Sequence, residues 1–523
     1  MKPVLLALSL AAGLAALAPA AAQGLQPPRT LAGLETAPPP LLHGEVPLLP
    51  RQLAQLVAAR NPEIRYSRLG VEVAAFLSAS EASLYETVLY GSAVGDDADR
   101  QRTIEERISG AASLSVLSER SQTYEAGLRQ RLPTAGEVSL AYKVIRRSNN
   151  IIASSTNDLQ DTEWTSGVVV TLKQPLLRNA GRGVLETDKR VAELEREVQW
   201  AQFRQQVLKS TADALNLFWQ LQRAQEARRL RDESMRNVRK MAQDVEARIE
   251  AGRTPPAARL EVQSILTGRQ ADLLRAELAE HEAEAKVLTA LGIASTGPAI
   301  HLKATDTPLP AKADPEPLEQ ALQRALEQWP PYRVSQLRLE QGRARLAYAD
   351  NQRQPQLDFS ASYNATGLAY DRMSAYKLAT RDKYPEWTVG FNFELPLGGN
   401  GKAGGQYAAQ AVRVQQNQLE LEAIRTALSN DLSQRREDLM SALRQVAQAQ
   451  KDVELRRQVE DNERDRYRLG VGLLRSWLDR ENETYEARQR LSEAVMRAQL
   501  ARVAWQFAQG SLLDEYDIAL RSE

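Results

Sequence analysis

The stretch QPLLRNAGRG, Gln174–Gly183, joins two unlike kinds of sequence. Before it, EWTSGVVVTLK alternates in the manner of a β-strand. After it, roughly 70 residues run without proline or glycine until Gly252. As one helix that run would be roughly 100 Å long. Nearly the same transition recurs at FELPLGGNGKAGGQ, Phe393–Gln406. A proline at a strand exit removes a ladder donor where pairing stops anyway, so Pro175 and Pro396 suit strand-to-helix turns. The glycines beside them let the backbone change direction.

The transition recurs because the chain repeats. LPRQLAQLVAARNPEIRYSRLG resembles PLEQALQRALEQWPPYRVSQLRLE, and an offset of 268 pairs Arg65 with Arg333, Ser67 with Ser335 and Leu69 with Leu337. Both copies open with a short amphipathic helix and break at proline, Pro62 and Pro330-Pro331. Each then runs through a helix, strands, a Pro-Leu turn and a long helix to a glycine, Gly252 or Gly470, and ends in a second long helix. Val238, Met241, Val245 and Ile249 step by three and four before Gly252. Val262, Leu266, Leu273, Ala276, Ala283 and Val287 continue the rhythm after it, with Arg269 and Glu280 polar on that seam. The spacing predicts two antiparallel coiled-coil hairpins.

The expected boundaries are a signal peptide over 1–22, a proline-rich linker over 23–49, a first repeat over 50–300, a linker over 301–316, a second repeat over 317–510 and a tail over 511–523. The first repeat holds strands over about 83–175 and a helical hairpin over about 183–292; the second holds strands over about 355–397 and a hairpin over about 403–509. Val138, Leu140, Tyr142 and Val144, like Leu357, Phe359, Ala361 and Tyr363, alternate with polar residues. Tyr85, Tyr90, Trp164, Tyr363 and Trp387 fall near strand ends. This suits a lipid-facing sheet with aromatic girdles. An ordinary sheet with one wet face alternates in the same way. The strands number four if LPTAG lies over the surface, or six if it is a hairpin turn, and the larger count is preferred. Neither closes a barrel with an aqueous lumen, and an open edge in lipid leaves amides unpaired. Strands that span a membrane must therefore come from several chains.

Composition narrows the function. Lysine plus arginine and aspartate plus glutamate both total 67, so no net basic field points to nucleic acid. The absence of cysteine removes thiol catalysis, thiolate metal sites and disulfides. His43, His281 and His301 stand far apart in sequence, with no metal-ligand spacing. No cofactor motif is present. GGNGKA fails as a phosphate loop, because Ala403 follows Lys402 where serine or threonine should ligate magnesium. Lys2, VLLALSLAAGLAAL and APAAAQ form an export signal, cleaved after Ala22.

In order and spacing these landmarks resemble the TolC-like outer-membrane efflux proteins, from about Pro50 to Gln509: Asn61-Pro62, Gln174-Pro175-Leu176, Leu395-Pro396-Leu397, EAGRT and YRLGVG. The resemblance implies a mainly α fold with a β-barrel portion, built from two internal repeats. Three chains would form one outer-membrane barrel, continued by a periplasmic α-helical coiled-coil barrel. It implies a homotrimer in outer-membrane lipid, a periplasmic adaptor protein, and through it an inner-membrane pump or ABC exporter. The adaptor-docking tips would be Ala251, Gly252 and Arg253 with Leu469, Gly470 and Val471. Tyr467 would stand at the periplasmic gate and Asp479 on the lumen, although a surface acid explains Asp479 equally well. Gly472 replaces a gating arginine, and Ser476 and Ala258 replace acids. The function implied is a passive exit duct for efflux or type I secretion, without chemistry. The alternative is a non-channel periplasmic coiled-coil scaffold or envelope tether. A secreted enzyme is disfavoured, because no carboxylate pair, triad or metal cluster stands out.

Overall fold

A computed structural model describes residues 44–109, 115–155, 162–293, 300–305 and 315–520. The expected signal peptide and His43 lie outside the described residues. The chain divides into two units, one built on Ala75–Glu195 and Leu339–Asn417, the other on Arg196–Arg338 and Gln418–Glu523 with the segment ending at Ala74.

The first unit holds a six-stranded antiparallel sheet. Its strands are β2 (Val88–Gln101), β3 (Val116–Arg131), β4 (Glu137–Asn149), β5 (Thr162–Pro175), β7 (Gln356–Ala369) and β8 (Pro385–Glu394), paired in that order. LPTAG is a tight turn between β3 and β4: Leu132 N–H donates to Gly136 O at 2.7 Å and Ala135 takes a φ of 69°. The structure therefore has the larger of the two strand counts. It differs at the first strand, since Ser83–Tyr85 is a 3-10 turn and pairing starts only at Val88. A short helix, α7 (Arg372–Thr380), starts on an Asp371 cap and lies on β5 and β7. Ala375 and Ala379 are buried there, and the Tyr376 ring meets Tyr142 edge-on at 6.0 Å.

Gly367 allows that seat, because an added Cβ would collide with the α7 backbone at Ala375 and Ala379. Gly367→Val should displace α7 at a cost of about 1–3 kcal/mol. Limited proteolysis would show new cleavage within Arg372–Thr380.

The second unit carries the helical core. Its short helices are α1 (Pro50–Arg60) and α5 (Leu318–Gln328). Their repeat-related successors, α2 (Pro62–Ala82) and α6 (Pro330–Asn351), begin in it. The Asn61 side chain receives the N–H groups of Glu63 and Ile64 and donates to Ala290 O. The Asn-Pro break is thus a helix cap tied to the first hairpin. The hairpins are α3 (Thr187–Glu250) with α4 (Ala257–Ala290), and α8 (Gly401–Arg468) with α9 (Leu474–Gln509). Phe203, Leu208, Leu215, Phe218 and Trp219 of α3 form the main core with Leu53, Val57, Val287, Val503, Leu512 and Leu513. The tail residues Leu512 and Leu513, in α10 (Leu512–Glu515), are core residues.

Both segments read as linkers also contribute. β1 (Gly44–Leu48) pairs in parallel with β6 (Ile300–Ala304). Leu48 and Leu302 are buried in the main core. Farther along α3, Val238 and Val245 pack on Val262 of α4, on the seam that the three-and-four spacing marks.

Candidate functional site: an open sheet and two helical tips

The register gives the sheet one apolar face. Leu89 pairs with Leu128, Leu128 with Leu140, Leu140 with Val170, Tyr142 with Val168, and Val168 with Ala365. The row continues through Ala361 opposite Val389, Tyr363 opposite Trp387, and Phe359 opposite Phe391. Side chains paired across a ladder share a face. Leu89, Leu128, Trp387, Val389, Phe391 and Phe393 are exposed on it. The register also puts Gly367 on this face, through Ser166 and Val144, so α7 covers the part near Tyr142 and leaves the β8 rim open.

The opposite face carries Glu125, Arg129, Lys143, Thr171, Lys173, Ser360, Ser362, Asn364, Thr388 and Asn392. Tyr90 belongs to this polar face, where it donates to Glu125 at 3.0 Å, so it is not a girdle residue of the apolar side. Tyr85 sits ahead of the sheet and donates to Glu186 at 2.8 Å. Among the described residues β2 and β8 do not pair with each other, which leaves the sheet two free edges. Among the described residues no helix is long and apolar enough to cross a membrane.

The two strand exits flank the junction of α6 and β7. Leu176 N–H donates to Leu357 O at 2.8 Å, and Asn351 bridges Asn179 N–H and Leu177 O. Asn400 donates to Gln352 O and caps Ala403 N–H at the second exit. Pro175 is the last residue of β5; Pro396 lies just beyond β8.

Both helical tips are left-handed glycine turns, with φ of 68° at Gly252 and 80° at Gly470. Arg253 N–H closes the first onto Arg248 O at 2.8 Å; Val471 and Gly472 N–H close the second onto Arg466 O, each at 3.0 Å. Ala251 and Arg253 are exposed, as are Leu469 and Val471 with neighbouring Leu473. Gly472 is needed for close approach, because a Cβ there would stand 2.9 Å from Tyr467 N. Ser476 is half-buried, and Ala258 packs into the apolar seam with Val238 and Val262.

Tyr467 is buried, with its ring 5.4 Å from that of Trp477 and the Arg248 guanidinium 4.4 Å from its centroid. Asp479 is exposed. Farther from the tips, Glu481 is only 6 % exposed. It receives Ser234 at 2.8 Å and pairs with Arg269 at 3.2 Å. Arg231 and Arg269 flank the Tyr485 ring at 4.6 and 5.4 Å, and burial pushes that phenol up to about 12. Arg269 shows in the sequence as a polar break in an apolar seam. Glu481, Ser234, Arg248 and Trp477 carry no such local signal.

Burial also raises the Glu460 carboxyl, with Glu481 and Asp461 adding to it and Thr484 and Arg464 opposing. The folded chain therefore holds this proton more tightly than the unfolded chain. Stability from this group is full below the ordinary carboxylate range and is lost as pH rises through the raised value. Glu460→Gln should raise the melting temperature at neutral pH, and the gain should vanish below about pH 4. Thermal scans across pH check this.

Residues 321–511 match the model of the outer membrane efflux protein family. The matched segment lies in the second repeat. No curated protein matches the sequence. Among solved structures, the outer-membrane channel OprN is similar at 16% identity, with a TM-score of 0.64 over 88% of this chain and 90% of that one. CusC, described for transmembrane channel formation, is similar at 14% identity, with a TM-score of 0.61 over 88% and 92%. The outer membrane protein VceC from Vibrio cholerae is similar at 13% identity, with a TM-score of 0.60 over 88% and 96%. The fold of this chain is thus that of these outer-membrane channels.

Proposed function

We infer that three copies of the chain close one barrel and act as a passive exit duct, fed by a periplasmic adaptor and an inner-membrane pump. The open sheet carries this reading. The exposed part of its apolar face suits lipid, its polar face suits an aqueous lumen, and its two free edges need partners. Six strands from each of three copies make eighteen, enough for a water-filled barrel. The helical hairpins supply the periplasmic conduit, with Gly252 and Gly470 at the adaptor-facing tips and Tyr467 beside the gate. Exposed Asp479 would place three like charges at the entrance and favour cations. The protein does no chemistry of its own; transport energy comes from the pump.

The test is extraction and conductance. Membranes should release the protein only into detergent, as a heat-labile trimer that conducts in planar bilayers. A water-soluble monomer without conductance would reject the duct and favour a periplasmic scaffold.

A further inference from the structure

The segment that joins β7 to β8 leaves the sheet at the end away from Pro175 and Pro396. It carries α7 and folds back onto the apolar face. Tyr376 meets Tyr142, which shares a row with Val168 and Ala365. That row lies four residues from Ala369, where β7 ends, so α7 sits within about 13 Å of the rim of the sheet.

Ala375 and Ala379 face the sheet, and the outer surface is of two kinds. Met373, Tyr376 and Tyr384 are exposed apolar or aromatic groups. Arg372, Lys377, Arg381 and Lys383 are exposed cations. Among the described residues no carboxylate stands within ion-pair distance of any of the four. The acids nearest in sequence are engaged elsewhere. Asp371 caps α7 through the Ser374 N–H, Asp382 receives Tyr363 at 2.5 Å, and Glu386 lies opposite Asn364 on the polar face. Positive charge and nonpolar surface thus alternate on one small patch of a chain with no net charge. This is the composition of a surface that lies in a lipid interface, where nonpolar groups enter the acyl boundary and long cationic side chains reach phosphates. Aromatic rings prefer the same headgroup level.

We propose that α7 and its flanking segment bind a phosphorylated lipid headgroup of the outer leaflet. Arg372, Lys377, Arg381 and Lys383 hold the phosphates; Met373, Tyr376 and Tyr384 lie against the acyl chains. The site rests on the barrel reading, which puts this end of the sheet at the outer surface and its apolar face in lipid.

The test uses the mature protein in detergent, in a preparation that conducts in planar bilayers. Lipid A is titrated and bound lipid is counted by native mass spectrometry, in parallel with phosphatidylethanolamine. Saturable binding of lipid A is expected, tighter than that of phosphatidylethanolamine and weakened by salt. Replacing any one of the four cations with glutamine should weaken it about fivefold, and replacing all four about a hundredfold or more. Conductance should persist in each variant. Release of the lipid by millimolar inorganic phosphate would assign the cluster to free phosphate and overturn the lipid site. Unchanged lipid A binding by a quadruple variant that still conducts overturns the site and leaves the duct standing. A chain that neither trimerises nor conducts rejects the duct, and this site with it.

Discussion

Gly470→Trp is expected to abolish export while trimer formation and membrane insertion persist, and Gly252→Trp should do the same. Neither glycine has a heavy atom within 4 Å of an added Cβ, so a side chain there projects into open space. The left-handed backbone adds roughly 1–2 kcal/mol of strain, small against the buried cores of the hairpins. The damage is expected to fall on the proposed adaptor docking. An indole covers the exposed residues beside it, Leu469 and Val471 at one tip and Arg253 at the other. Asparagine tolerates the same backbone region, so Gly252→Asn and Gly470→Asn should retain export. Drug accumulation and adaptor cross-linking distinguish the variants. Normal export by both tryptophan variants would reject the tips as docking sites without touching the barrel.

The second large effect is on stability. Glu481→Ala leaves Ser234 without its acceptor and Arg269 with Asn482 in place of its buried carboxylate. Breaking one side of a buried ion pair costs about 3–5 kcal/mol, whereas replacing both sides with apolar groups costs far less. Glu481→Ala should therefore lower the melting temperature much more than the Arg269→Met, Glu481→Leu double variant. Equal losses would show that the pair contributes only packing.

Much of this molecule is legible in the chain. The repeat, the glycine turns, the Pro-Leu exits and the coiled-coil seam are local patterns, set by backbone conformation and side-chain period. Val238 and Val245 belong to the core because the seam repeats along one helix. Gly252 and Gly470 mark turns because a long helix stops at each.

Contacts between distant segments are not legible in this way. Arg269 is visible as a polar interruption, but its partner lies 212 residues away. The linkers carry no strand period long enough to announce β1 and β6, which pair where Leu48 and Leu302 reach the main core. Periodicity along the chain thus determined the elements and their order. Pairing across the chain, where burial makes charge and hydrogen bonding selective, was decided only by the tertiary structure.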